Sequence, residues 1–259
     1  MYRAMTSPLE YRFPTPPVDG RVWQPPAPSS APDARPRGSW PTDVPTLGNG
    51  ERPRRLLNVA VSAVGLVLAA PVMALIALLI KLTSPGPVLY KQTRVGIDLR
   101  RPSDAGETRR RQVDHGGRPF TMHKFRTMAP STGDAQVWAT PDDPRVTSLG
   151  RILRKYRLDE LPQLVNVLRG DMNLVGPRPE QLTIFAQLRE RVPGYQWRQR
   201  VRPGITGWAQ VNYHYDSSIE DVHRKVALDL EYVARQSLLE DLRILLRTVP
   251  VVLFKRGAW

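Results

Sequence analysis

Between Leu56 and Ile80 the chain carries no charged residue, and Leu, Val, Ala and Ile dominate the stretch. A helix made from it could cross the hydrocarbon core of a bilayer, about 30 Å thick. The stretch lies too far from the first residue to be a signal peptide. Pro71 falls inside it. A proline within a helix removes one backbone donor and clashes with the carbonyl one turn earlier, so a kink is predicted near Val67 to Pro71. Arg52, Arg54 and Arg55 precede the stretch, and Lys81, Lys91 and Arg94 follow it. Basic flanks favour the cytoplasmic side, and a helix that enters, breaks at Pro71 and returns keeps both clusters there. Its arms, Leu56 to Ala70 and Pro71 to Leu82, would each run roughly 18 to 22 Å, too short to span alone. An ordinary kinked spanning helix accounts for the same residues equally well.

The 259 residues leave room for one catalytic domain beyond this segment. From Met1 to Pro53 the chain is dense in proline with almost no apolar periodicity, which predicts a disordered tail. A formal net charge of +14 predicts anionic partners: nucleic acid, acidic headgroups or phosphorylated substrates. With no cysteine, disulfides, thiolate metal sites and cysteine nucleophiles are excluded, and any metal must sit on oxygen or imidazole. His115, His123, His214 and His223 are dispersed without metal-ligand spacing.

After the Ser84-Pro85-Gly86-Pro87 stop, Val88 to Val95 and Pro119 to Met128 read as strands, separated by a charged loop from Arg100 to Gly117. In the second strand Lys124 and Arg126 share one face and Phe125 takes the other. Helices are predicted over Ser148 to Tyr156, Pro162 to Leu168, Glu180 to Arg191 and Ile219 to Gln236. Pro203 to Gly207 reads as a turn and Trp208 to Val211 as a short strand. An amphipathic helix from Leu239 to Phe254, interrupted at Pro250, carries Arg243, Arg247, Lys255 and Arg256. That composition suits an anionic membrane surface or a place against the core.

Asp159-Glu160 is a pair of acids set just after Arg151, Arg154, Lys155 and Arg157. Two carboxylates beside cations can hold Mg²⁺ by one or two oxygens, or one of them can attack phosphorus. Either can also simply cap the helix that follows. Gly176-Pro177-Arg178-Pro179 holds one arginine between two prolines, a stiff setting for bidentate contact with phosphate, or a rigid connector with an arginine in water. Lys124 and Arg126 could add charge to the same site or form a solvated strand edge.

These stretches together resemble the monotopic phosphoglycosyl transferases, the bacterial sugar transferases that start lipid-linked glycan assembly. The resemblance runs from Arg55 nearly to the C-terminus. It is carried by Leu82 to Val88, Lys124-Phe125-Arg126-Thr127-Met128, Leu158 to Leu164 around Asp159-Glu160, Gly170 to Glu180, and Arg202 to Val211. It implies a helix-rich α/β (α+β) fold: a membrane hairpin at 54–83 and a catalytic domain at 84–259 with amphipathic interfacial helices. In such enzymes the aspartate attacks the sugar-bearing phosphate of a UDP-sugar, releases UMP, and passes the sugar phosphate to polyprenyl (undecaprenyl) phosphate. Carried over by position, Asp159 would be the nucleophile and Glu160 the Mg²⁺ ligand. Lys124, Arg126, Arg154 and Arg178 would hold phosphates, and Asp229 falls in an Asp-x-x-Tyr-Val stretch of the family. The implied setting is the bacterial inner membrane with the site facing the cytoplasm, in a pathway that builds an exopolysaccharide or another lipid-linked glycan.

The sequence departs from the family in Ala70, where Ser is frequent before the proline, and in Asn58, where Asp is frequent. The 97–116 loop is longer than usual, and the Pro-rich tail stands where larger relatives carry membrane spans or a further domain. A membrane-tethered nucleic-acid binder would explain the charge, but it has no use for an acidic pair among arginines, and interleaved aromatics are sparse. A phosphohydrolase could use the same pair with water as acceptor. No nucleic acid is expected.

Overall fold

The computed structural model describes residues 51–99, 116–129, 143–213 and 219–253. The expected tail to residue 50, nearly all of the charged loop, His115, His214, and Lys255 with Arg256 lie outside the described residues.

Helix α1, Glu51–Thr83, runs through Pro71 without a break, so the two expected arms are one continuous helical element. At 1.5 Å per residue its 33 residues would reach about 50 Å if straight. It is the one helix among the described residues long and apolar enough to cross a membrane. Its two faces differ. Arg54, Asn58, Ser62, Ile76 and Ile80 are buried, with half-buried Gly65, Ala69 and Met73 between them, a helical period that faces the rest of the protein. The opposite face exposes Leu56, Val64, Val67, Leu68, Leu75 and Leu78.

Polar residues fasten the start of α1. The Arg54 guanidinium donates to Asp241 at 2.8 Å and to the Tyr232 hydroxyl at 2.7 Å. Arg55 donates to the carbonyls of Val167 and Leu168, in the last turn of the helix Gln163–Arg169. Asn58 accepts the backbone amide of Leu174 at 2.7 Å and donates to the Arg54 carbonyl. Asn58 is thus a buried two-way connector inside an apolar helix. At the other end Ile76 and Ile80 pack against Phe125 and Leu153.

Strands β1 (Leu89–Val95) and β2 (Pro119–Phe125) pair antiparallel, with Leu89 opposite Phe125 and Val95 opposite Pro119. Helices α2 (Ser148–Lys155) and α3 (Gln163–Arg169) follow, then β3 (Asn173–Val175), α4 (Leu182–Arg191) and β4 (Gly204–Thr206), which runs parallel to β3. Helices α5 (Trp208–Asn212), α6 (Ile219–Arg235) and α7 (Leu238–Leu253) complete the described fold. The main core joins Phe120 and Met122 of β2 to Val167, Met172, Leu174 and Val175, and closes on Tyr232, Val233 and Ile244. The architecture is therefore a helix-rich mixture of α and β with small sheets.

Two expectations need correction. Trp208 to Val211 is not a strand but helix α5, because a helical spacing of three brings Trp208 and Val211 onto the same core cluster. Helix α7 is not interrupted at Pro250 and continues to Leu253. One side of α7 packs into the core through Ile244, while Leu239, Leu242, Leu246 and Val249 are exposed. Arg243 and Arg247 lie over the Trp208 ring at 5.8 and 4.9 Å.

Candidate active site

The acidic pair sits in a tight turn. Arg157, at φ 54°, is the one non-glycine residue with left-handed backbone among the described residues. Such a conformation is costly for an arginine and persists only where surrounding structure enforces it. It reverses the chain after α2 and starts the 3₁₀ turn Leu158–Glu160. Both carboxylates end up largely shielded, Asp159 at 8% and Glu160 at 7% exposure. The turn is not a helix cap: α3 is preceded by Pro162, and no side chain caps it.

The two acids are then treated differently. Glu160 Oε1 accepts from Lys124 Nζ at 2.9 Å and from both terminal nitrogens of Arg178 at 3.4 and 3.5 Å. Its other oxygen meets Arg157 at 3.9 Å. Burial alone would raise the Glu160 pKa; Lys124, Arg178 and Arg157 outweigh it and hold the carboxylate well below the usual range. The Asp159 carboxylate has no hydrogen bond or ion pair within 4 Å among the described residues. Burial pushes its pKa up, Lys124 pulls it down, the neighbouring Glu160 raises it again, and the net shift is upward.

Each cation is delivered by a different element. Lys124 lies at the end of β2, where the next residue, Phe125, is anchored on α1. Arg154 projects from α2 and donates to Thr127 Oγ1 at 3.0 Å. A Cβ on Gly150 would lie 2.0 Å from the Thr127 carbonyl, so only glycine lets α2 approach this closely. Arg178 comes from the loop after β3, which is joined to the Pro203-Gly204-Ile205-Thr206 stretch. Gly176 donates to the Thr206 carbonyl and Gly204 to the Pro177 carbonyl, both at 2.9 Å. The motifs around Gly176 and Gly204 are distant in sequence and form one backbone junction. The Arg178 side chain keeps 41% of its exposure, against 16% for Lys124, so it is the cation of this group most open to an incoming anion.

Two expected site residues go elsewhere. Arg126 does not join the pair. Its guanidinium donates to the Ser84 carbonyl and hydroxyl and to the Pro85 carbonyl, at 2.7 to 2.8 Å, and so ties β2 to the end of α1. Asp229 is buried against Arg198 at 2.7 Å rather than facing the acids. Arg157, one of the cations just before the acidic pair, turns out to touch Glu160 itself. Nothing in the local pattern separates Arg198 from the other arginines of so basic a chain.

Among the described residues no three His, Asp or Glu side chains cluster as a ready-made metal cage. The donor set that exists is Asp159 with Glu160, two hard oxygen donors. This fits a Mg²⁺ ion that keeps waters and substrate phosphates in its remaining positions.

A family model described as bacterial sugar transferase matches residues 50–255. The UDP-glucose:undecaprenyl-phosphate glucose-1-phosphate transferase of Caulobacter vibrioides is 42% identical over 209 residues, covering 80% of this chain and 72% of the relative. The Escherichia coli enzyme with the same description is 40% identical over 210 residues, covering 80% and 41%. The UDP-N-acetylgalactosamine-undecaprenyl-phosphate N-acetylgalactosaminephosphotransferase of Aeromonas hydrophila is 39% identical over 206 residues, covering 79% and 44%. The chain thus spans less than half the length of two of these relatives.

The contrast between Arg126 and Arg178 is testable by thermal unfolding. Arg126→Ala removes a buried guanidinium and the hydrogen bonds it gives to Ser84 and Pro85, and is expected to cost about 1–3 kcal/mol, a drop of several degrees in melting temperature. Arg178→Ala removes a half-exposed group from a carboxylate that Lys124 still holds, and should cost no more than about 1 kcal/mol. A reversed order would show that Arg178, not Arg126, is the structural arginine.

Proposed function

Because the chain belongs to the bacterial sugar transferase family, we propose that it moves a sugar-1-phosphate from a UDP-sugar to undecaprenyl phosphate at a membrane surface, releasing UMP. The observation that carries this reading is the division of labour in the acidic pair. Glu160 is held by Lys124 and Arg178, while the Asp159 carboxylate beside it has no hydrogen-bond partner among the described residues and is free to attack.

In the proposed first step an Asp159 oxygen attacks the phosphorus that bears the sugar. The bond from that phosphorus to the bridging oxygen of the diphosphate breaks, and UMP leaves with the oxygen and its electron pair. In the second step an oxygen of undecaprenyl phosphate attacks the same phosphorus. The bond to Asp159 breaks, the carboxylate returns as its anion, and the product is a polyprenyl-diphospho-sugar. Splitting the transfer this way lets one protected site handle one anionic substrate at a time.

Arg178 and Lys124 would bind diphosphate oxygens, Arg178 through its planar fork, once the incoming anion draws them from Glu160. Arg154 would act on Asp159 by charge, since it favours the ionised form. Glu160, beside the nucleophile, would be the residue that holds Mg²⁺, which would supply charge neutralisation at the departing phosphate. Fixed cations aimed at developing charge are the main source of such catalysis.

The membrane part of the proposal is a re-entrant α1 with both ends on the cytoplasmic side of the bacterial inner membrane. Its support is that Arg54, Arg55 and Asn58 near one end and Ile76 and Ile80 near the other pack on the same domain. A helix delivering its ends to opposite sides of a bilayer would not pack both on one domain, and Pro71, which removes one backbone hydrogen bond, is where a bend would lie. The chain has no cysteine, so single cysteines at Arg52 and Lys91 report topology directly. Both should be protected from a membrane-impermeant thiol reagent added outside; labelling of Arg52→Cys alone would establish a spanning helix.

The chemistry is tested by UMP release across a panel of UDP-sugars with undecaprenyl phosphate present. The wild type should release UMP with at least one sugar, and Asp159→Asn should lose at least about a thousandfold in rate with its melting temperature kept. An Asn variant that turns over within tenfold of wild type would remove Asp159 from the nucleophile's role.

A further inference from the structure

Behind Arg178 lies an ionic pair that the proposed chemistry does not use. Asp229 of α6 is 2% exposed and Arg198, in the 3₁₀ turn Tyr195–Arg200, is 6% exposed. Arg198 Nε donates to Asp229 Oδ2 at 2.7 Å, and one terminal nitrogen donates to the Tyr195 hydroxyl at 2.7 Å. The other terminal nitrogen donates to the backbone carbonyl of Arg178 at 3.2 Å, and is the one donor to that carbonyl among the described residues. Burial works against the guanidinium charge, and Tyr195, Asp229 and Glu180 more than offset it, so the group stays a cation.

The placement matters because of what flanks Arg178. Pro177 and Pro179 have their φ angles fixed by their rings, and the residue before a proline is restricted as well. Arg178, which itself precedes Pro179, is left with only a narrow range of backbone rotation. A donor on the Arg178 carbonyl fixes that rotation, and with it the root from which the side chain reaches Glu160. The neighbouring carbonyls are held too: Arg94 donates to the Pro179 carbonyl at 3.2 Å, and the Val95 amide to the Glu180 carbonyl at 2.9 Å. Burying an ion pair costs desolvation that an apolar pair would avoid, so this one makes sense where a directional third contact is needed.

We propose, on the basis of the transfer reading above, that Arg198, oriented by Asp229 and Tyr195, is a positioning residue that sets the Arg178 backbone so that its guanidinium meets the sugar-bearing diphosphate. Asp229 then acts through two intervening residues, Arg198 and Arg178, rather than on substrate. The full chain in nanodiscs, assayed for UMP release at varied UDP-sugar, tests this through a double-mutant cycle of Asp229→Asn with Arg178→Lys. Asn still accepts one bond from Arg198, so the fold should survive. Asp229→Asn is expected to raise KM for UDP-sugar about ten- to a hundredfold, with kcat less affected, as expected for a displaced binding group. In the Arg178→Lys background the same change should add less than about twofold, since the group being positioned is already gone. If Asp229→Asn does not fold, Tyr195→Phe removes a single hydroxyl and enters the same cycle, with the same dependence on Arg178 expected. An unchanged KM, or equal fold-losses in both backgrounds, overturns the proposal and leaves the pair a brace for the fold alone. Wild-type protein that releases no UMP from any UDP-sugar sinks the transfer reading, and this inference with it.

Discussion

A carboxylate shielded as deeply as Glu160 needs cations, and this chain draws them from separate parts of the fold: Lys124 from the end of β2, Arg157 from the turn itself, and Arg178 from the loop after β3. Meeting that electrostatic requirement brings the elements of the site together. The strand must reach the turn, so Phe125 is pinned on α1; the loop must reach it from the other side, so Gly176 and Gly204 form a junction that no larger residue would fit. Once Glu160 has taken the direct ion pairs, its neighbour Asp159 is left buried, without a hydrogen-bond partner among the described residues, and near enough to Lys124, Arg154 and Arg178 for their charges to favour its own. A free carboxylate in a field that attracts phosphate is the arrangement that nucleophilic attack on a diphosphate requires.

The apolar helix belongs to this arrangement and is more than an attached anchor. Arg54 and Asp241 form a buried pair shared with Tyr232, and Arg126 ties the far end of α1 to β2 just past Lys124. The element that would sit in lipid and the strand that supplies a site cation are therefore one mechanical unit. The exposed apolar face of α1 and the exposed Leu239, Leu242 and Leu246 of α7 lie outside that unit's contacts, available to a bilayer.

Much of this was legible in the sequence. The hydrophobic stretch, the two strands before residue 128 and the helices α2, α3, α4 and α6 follow from periodicity and punctuation, and the acidic pair and the Gly-Pro-Arg-Pro loop stand out as motifs. What local pattern could not give was the partner of each polar side chain. Arg126 alternates with Phe125 and so reads as sharing a task with Lys124, yet three carbonyl and hydroxyl oxygens at the end of α1 claim it. Asp229 reads as a site acid by position, but its burial against Arg198 gives it another partner. Trp208 and Val211 favour strands by type, but core contacts spaced three apart decide for a helix. In each case a tertiary contact outweighed a local signal.

The central claim is that Asp159 carries the sugar phosphate covalently. Intact-protein mass spectrometry of the wild type, mixed with a reactive UDP-sugar in the absence of lipid acceptor, tests it most directly. The account predicts a gain of one sugar phosphate per chain, mapped to the peptide containing Asp159 and lost on addition of undecaprenyl phosphate. Turnover with no adduct at any time, or an adduct on another side chain, would contradict it.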